Sequence, residues 1–293
     1  MGKQFLVTIS SSVDHLFGVK FICSFFNKMS DDRVTLFHIC RRDSNDMNKI
    51  LLAQWDDSAS NIQGHLSVGT RRSINKAKGI LGESKMSIDQ IITKTVDERY
   101  GKVKDILGES SRGFYDAIIL GRRASYSLQW MFERSADETV QAMIKDSSCS
   151  SPLWICPESE PGRKNVLVCV DGSENAYRAV DHVGYILSTQ HQHTITIFHV
   201  ENGNGEESEG MFQRAEAILQ EHNIGTDRIS RNSIRGISAS RSILGEIKNG
   251  GYSAVALGMR GQTRGLLRDL NLAGGTTLKL ISKIDKTALW CCP

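Results

Sequence analysis

Long apolar runs, proline and paired cysteine are scarce in this 293-residue chain, and each scarcity removes a class of protein. No apolar stretch is long enough to span a bilayer, so no membrane contact is expected. Met1-Gly2-Lys3-Gln4 enters a strand-like run at once, without the charged and apolar regions of a signal peptide, so a cytoplasmic location is expected. The seven cysteines are scattered, with no Cys-x-x-Cys pair and no histidines at zinc-ligand spacing. They are expected to be reduced thiols, with no metal site. Cys291 and Cys292 are neighbours, which would send them to opposite faces of a strand. Aromatic residues make up 7% and do not alternate with Lys/Arg, and a net charge of +3 is spread among acidic residues, so a nucleic-acid partner is not implied.

What is present is the composition of a soluble globular protein, 40% hydrophobic and 24% charged. At about 100–200 residues per domain the length suggests two domains. β-rich runs at residues 5–9, 34–39, 90–96, 117–121 and 153–156 alternate with helix-like spacing at 13–26, 62–81, 100–110 and within 137–145. Residues 41–61 are polar and read as loop-rich. Residues 158–164 are polar, and Pro157 and Pro161 in this neighbourhood are two of the four prolines, so the segment reads as a linker.

After it the pattern begins again. Residues 166–170 answer to 5–9, and 195–200 answer to 34–39. Tyr252-Ser253-Ala254 answers to Tyr115-Asp116-Ala117, and Leu289-Trp290-Cys291-Cys292-Pro293 to Leu153-Trp154-Ile155-Cys156-Pro157. A repeat this long is a duplicated domain rather than a solenoid unit, which spans about 20–50 residues. The expected domains are 1–157 and 165–293. Each is read as α/β, a parallel sheet covered on both faces.

In such a sheet ligands sit beyond the carboxyl ends of the strands, where the strand order reverses. That draws attention to Gly258-Met259-Arg260-Gly261, which follows the apolar run 254–257, and to Asp171-Gly172-Ser173 after 166–170. Glycines leave backbone N–H groups open to an anion such as phosphate. The same glycines also suit plain turns, and Asp and Ser suit a cap at any strand-to-helix junction.

These residues together resemble the universal stress protein family in its tandem, two-domain form. The resemblance rests on Val170-Asp171-Gly172-Ser173, the strand ending His199-Val200, and Gly258-x-x-Gly261 followed by Gly275-Thr276. It implies two flavodoxin-like or Rossmann-like open sheets, each of strand order 3-2-1-4-5. It further implies that Asp171 contacts the nucleoside and the backbone of Val200 the adenine. Gly258, Gly261 and Gly275 would approach the phosphates and ribose, with a hydroxyl from Thr276. Gly172 and Ser173 complete the turn, and Arg260 and Arg264 could add charge-assisted contacts. The implied ligand is ATP or another adenine nucleotide, with magnesium accompanying it. Thirteen residues separate Gly261 from Gly275, where the family pattern has nine.

The N-terminal copy departs further. Ser10 stands in the place of Asp171, Ala124 in that of Gly261, and Arg134 where the family pattern has a glycine, so this half is expected not to bind nucleotide in the usual way. The resemblance also implies an intramolecular pseudo-dimer of the two domains joined through their last strands, and allows a further homodimer. No general base, nucleophile or metal triad gathers near the crevice, so no catalytic residue is assigned and regulatory binding is the first reading. A slow ATP hydrolase or nucleotidyl transferase using Asp171, and a nucleotide-free interaction module, stand beside it. His38 and His199 are read as packed strand histidines, and His191-Gln192-His193 as a solvent-exposed turn.

Overall fold

The computed structural model describes residues 2–40, 66–84, 86–122, 139, 142–144, 149–158, 160, 162–201, 206–259 and 275–293. Ten strands form one sheet: β1 (Gln4–Thr8), β2 (Arg33–Cys40), β3 (Ile91–Asp97), β4 (Ala117–Gly121), β5 (Leu153–Cys156), β6 (Val166–Val170), β7 (Ile195–Glu201), β8 (Ile229–Arg235), β9 (Ala254–Gly258) and β10 (Ala288–Cys292). Helices α1 (Phe17–Phe25), α2 (Val68–Glu83), α3 (Lys102–Gly113), α4 (Glu174–Leu187), α5 (Glu206–Glu221), α6 (Ala239–Gly250) and α7 (Gly275–Ile281) connect them. Residues 142–144 are also helical, inside the expected segment 137–145. The expected loop-rich region 41–61 lies outside the described residues.

The strand order is β3-β2-β1-β4-β5-β10-β9-β6-β7-β8. Each half therefore runs 3-2-1-4-5, and the two halves share a single sheet because their last strands pair, the joining that the resemblance implies. The fifth strands are the reason. Leu153–Cys156 and Ala288–Cys292 are fully buried apolar strands, and their unpaired backbone edges are satisfied by each other. All other pairings are parallel, whereas β5 and β10 run antiparallel with Trp154 opposite Trp290.

Side-chain alternation then divides the core in two. Phe5, Val7, Trp154 and Trp290 face one side with α1, α2, α4 and α5; Leu6, Leu153 and Leu289 face the other with α3, α6 and α7. Cys292 lies in the first core and Cys291 in the second, as their adjacency requires. All seven cysteines are free thiols. Burial pushes those of Cys156, Cys169, Cys291 and Cys292 up, which makes them small hydrophobes rather than reactive groups.

The junction is aromatic on one face. The Trp154 and Trp290 rings stack with centroids 4.0 Å apart and planes 5° from parallel. Trp154 Nε1 donates to His182 Nε2 at 3.0 Å. Trp290 Nε1 is buried without a hydrogen-bond partner among the described residues, and its edge-on neighbours are Phe21, Phe25 and His182. Beside this stack the turn from α4 to β7 closes on the end of α1. Gln190 Nε2 donates to the Lys28 carbonyl at 2.9 Å and Gln192 Nε2 to that of Phe25 at 3.0 Å.

His193 corrects the expectation of a solvated turn. It is 1% exposed, its ring stacks on Phe25 at 4.1 Å, and its nitrogens face the carbonyls of Phe25 and Lys164. The physical reason is that the last carbonyls of α1 have no partner within the helix, and this turn satisfies them.

Candidate functional site

β6 lies between β7 and β9, with Val170 in register with His199 and Val168 with Ala256. The carboxyl ends of the three strands thus meet where the order reverses, which brings Asp171-Gly172-Ser173, Val200 and Gly258 to one end of the sheet.

The turn after β6 is built by its own side chains. Asp171 Oδ1 accepts from the Ser173 backbone N–H at 3.0 Å and from Ser173 Oγ at 2.6 Å. Gly172 has φ +80, the left-handed conformation that glycine adopts without strain. Ser173 then caps α4, its Oγ accepting from the Ala176 N–H at 3.2 Å. Asp171 is exposed.

A Cβ at Gly172 would meet Met211 Sδ at 3.1 Å, so α5 leans over the turn. Helix α5 is fixed there by Arg214, which makes bidentate contacts of 2.8 Å with Glu174 and stacks 3.9 Å above the Tyr177 ring. The hydrogen bonds from Arg214 hold the Glu174 carboxyl below the usual carboxylate range.

Val200 turns its side chain into the core, so it offers this end of the sheet only its backbone. Next to it, His199 Nδ1 lies 2.8 Å from the Val170 carbonyl. A carbonyl only accepts, so Nδ1 carries the hydrogen and ties β7 to the end of β6. His38 makes the same bond to the Ile9 carbonyl at 2.7 Å, which bears out the packed-histidine reading of both.

Gly258 is glycine for a different reason from the one its loop suggests. A Cβ there would lie 2.9 Å from the Asn175 carbonyl carbon and 3.0 Å from the Ala176 nitrogen, so the first turn of α4 rests on this backbone. Arg260 and Gly261 lie outside the described residues. Gly275 and Thr276 open α7, and a Cβ at Gly275 would meet no atom within 4 Å.

Sequence reasoning missed Thr277. It is 1% exposed and its Oγ1 donates to the Gly258 carbonyl at 3.4 Å, tying α7 to the end of β9. The signal was the helical spacing of Thr277 with Leu280 and Ile281, which puts the three on one buried face. No group of three or more His, Cys, Asp or Glu is placed to hold a metal among the described residues.

The turn in the N-terminal half is a plainer version of the same design. The Ser12 N–H donates to Ser10 Oγ at 3.3 Å, where Ser173 uses Asp171. The space beyond it is taken by the start of α2. A Cβ at Gly69 would lie 3.0 Å from the Ser11 carbonyl, and Ser73 Oγ donates to the Ser12 carbonyl at 3.4 Å.

The sequence profile of the universal stress protein family matches residues 162–289, a span that contains Asp171, Val200, Gly258 and Thr277. The match covers 128 of the 293 residues, all of them in the C-terminal half. A universal stress protein from Archaeoglobus fulgidus DSM 4304 superimposes with a TM-score of 0.66 at 15% identity, over 99% of this chain and 97% of the other. A protein described as a putative universal stress protein, from Pseudomonas aeruginosa UCBPP-PA14, gives 0.57 at 13% identity, over 99% and 92%. At these identities the likeness establishes the fold. No curated protein sequence matches the chain. No helix among the described residues is long and apolar enough to cross a membrane.

Proposed function

We propose that the chain is a tandem universal stress protein, with domains 1–157 and 165–293, whose C-terminal domain binds ATP or another adenine nucleotide as a regulatory ligand. The observation that carries this reading is the meeting of three strand ends at the reversal of strand order, the place where open α/β sheets take ligands. The exposed Asp171 would meet the nucleoside end and the Val200 backbone the adenine. The backbone around Gly258, Gly261 and Gly275, with the Thr276 hydroxyl and Arg260, would meet the phosphates. Magnesium would ride on the phosphates rather than in a protein cage, its usual manner of binding. The N-terminal domain is the non-binding copy, joined to its partner as an intramolecular pseudo-dimer, and the chain is read as cytoplasmic.

A second reading has support of its own. Asp171 holds the α4 cap and Gly258 admits the α4 backbone, so both residues have structural work that needs no ligand. On that reading the chain is a nucleotide-free interaction module. Thermal melting with millimolar ATP, ADP and AMP separates the two, because a ligand that binds only the folded state raises stability by about 2.7 kcal/mol at a hundred times its Kd. A raised Tm with at least one nucleotide is expected. An unchanged Tm with all three overturns the nucleotide reading and leaves the interaction module.

A further inference from the structure

Arg122 immediately follows β4 and is buried between the two halves at 8% exposure. Its Nη1 donates to the carbonyls of Ile281 and Ile284, the latter at 3.1 Å. Those carbonyls end α7 and the turn beyond it, groups that have no acceptor role left inside the helix. The N–H of Arg122 donates to the Cys156 carbonyl at 2.8 Å, and the N–H of Met259 donates to that of Cys292 at 2.6 Å. Arg122 and Met259 therefore hold equivalent places. Met259 is apolar and buried, so the arginine hold runs one way, from the N-terminal half onto α7.

Helix α7 is anchored along its whole length. Thr277 bonds the Gly258 carbonyl, Leu280 and Ile281 sit in the core, and Arg122 closes the far end. We propose that Arg122 is a positioning residue through which the N-terminal half sets nucleotide affinity in the C-terminal half. This rests on the nucleotide reading above. Gly275 and Thr276 are in the proposed contact set, and they share a two-turn helix with the carbonyl that Arg122 grips. A helix of that length moves as one body, so release at Ile281 shifts Thr276. Both bonds come from Nη1, whose two N–H groups are held in the guanidinium plane, so the pair of carbonyls is met in a fixed geometry that the rotating ammonium of lysine does not hold. The half without a binding site of its own would thereby retain a part in binding.

The test uses the full chain as wild type, Arg122→Met and Arg122→Lys, where methionine copies the equivalent position. Calorimetric ATP titration is paired with amide exchange on the nucleotide-free proteins. In Arg122→Met, amides of residues 280–286 should exchange faster while those of β7 and β8 are unmoved, and ATP affinity should fall about tenfold, within the usual range of site coupling. Arg122→Lys should fall between. Faster exchange with unchanged ATP affinity overturns this inference alone, and so does unchanged exchange. Unfolding of Arg122→Met would show as faster exchange throughout, and Arg122→Lys then decides by the same two readings. Failure of the wild type to bind ATP, ADP or AMP overturns the nucleotide reading and this inference with it.

Discussion

The ends of the fourth strand in the two halves, Gly121 and Gly258, answer different questions from the ones their sequence surroundings raise. In the C-terminal half the glycine opens a loop that looks made for phosphate. In the N-terminal half the same glycine persists although the residues after it have lost that pattern. The structure removes the puzzle, since a Cβ at Gly121 would meet the His15 carbonyl at 3.1 Å just as one at Gly258 would meet Asn175 at 2.9 Å. Both glycines let the helix that follows the first strand settle on the fourth. What differs between the halves is elsewhere: Asp171 against Ser10, His182 against Phe21, Gly251 against Phe114, and Met259 against Arg122.

The largest expected effect tests the shared feature. Gly258→Ala places a methyl against helix backbone, which cannot swing aside as a side chain could, and should destabilise by about 3 kcal/mol. Gly121→Ala should cost about 1 kcal/mol, in keeping with its longer contact. Urea denaturation of both variants reads this directly. A neutral Gly121→Ala would break the comparison and leave the close helix contact as a requirement of the C-terminal half alone.

The next effect concerns the aromatic junction, where the halves differ by one imidazole. Burial pushes the pKa of His182 down from the ordinary imidazole value of about 6.5 to about 3. The folded state thus binds fewer protons than the unfolded state between those values. This contribution to stability is complete above about pH 6.5 and is lost as pH falls toward 3. From pH 7 to pH 5 the loss is about 2 kcal/mol by linkage. His182→Phe, which copies Phe21, should remove that part of the acid sensitivity, measured as the difference between the two proteins' denaturation midpoints at each pH. Equal pH dependence would mean that the buried imidazole takes up a proton without cost.

Much of this was legible in the sequence, and for identifiable reasons. Residues 117–121 and 153–156 could be bounded to the residue because buried parallel strands are short unbroken apolar runs. The α1 region read as one helix over 13–26, whereas a 3-10 turn at Val13–His15 precedes Phe17–Phe25. Leu16 cannot cap, so this helix lacks the side-chain start that Ser173 gives α4. What His193, Arg122 and Thr277 bond to was beyond reach for a common cause, although helical spacing marks the buried face of Thr277. Each bonds a carbonyl remote in sequence, and neither periodicity nor motif reports which distant backbone group will need a donor.

A smaller effect is expected at the ends of α3 and α6. Phe114 and Gly251 both take the left-handed conformation that stops the helix, at φ 51 and φ 60. The phenylalanine is 87% exposed, so it gains no burial for the strain of holding a Cβ there. Phe114→Gly should therefore stabilise by about 1 kcal/mol, read as a rise in Tm. A fall in Tm would show that the Phe114 ring makes a stabilising contact that its exposure hides.

The smallest expected change in stability is the most informative about function. Asp171→Ser gives the C-terminal turn the residue of its N-terminal counterpart. Because Ser10 Oγ accepts from the N–H two residues on, as Asp171 Oδ1 does, the turn and the Ser173 cap should survive, with stability altered by no more than about 0.5 kcal/mol. The carboxylate is lost, and with it the proposed contact to the nucleoside. If nucleotide binding is real, calorimetry should record weaker ATP affinity in a protein whose melting temperature without ligand is unchanged. A drop in Tm of the size expected for a lost helix cap, about 1 kcal/mol, with ATP affinity intact, would assign Asp171 to the turn alone and bring the two halves to the same structural role at this position.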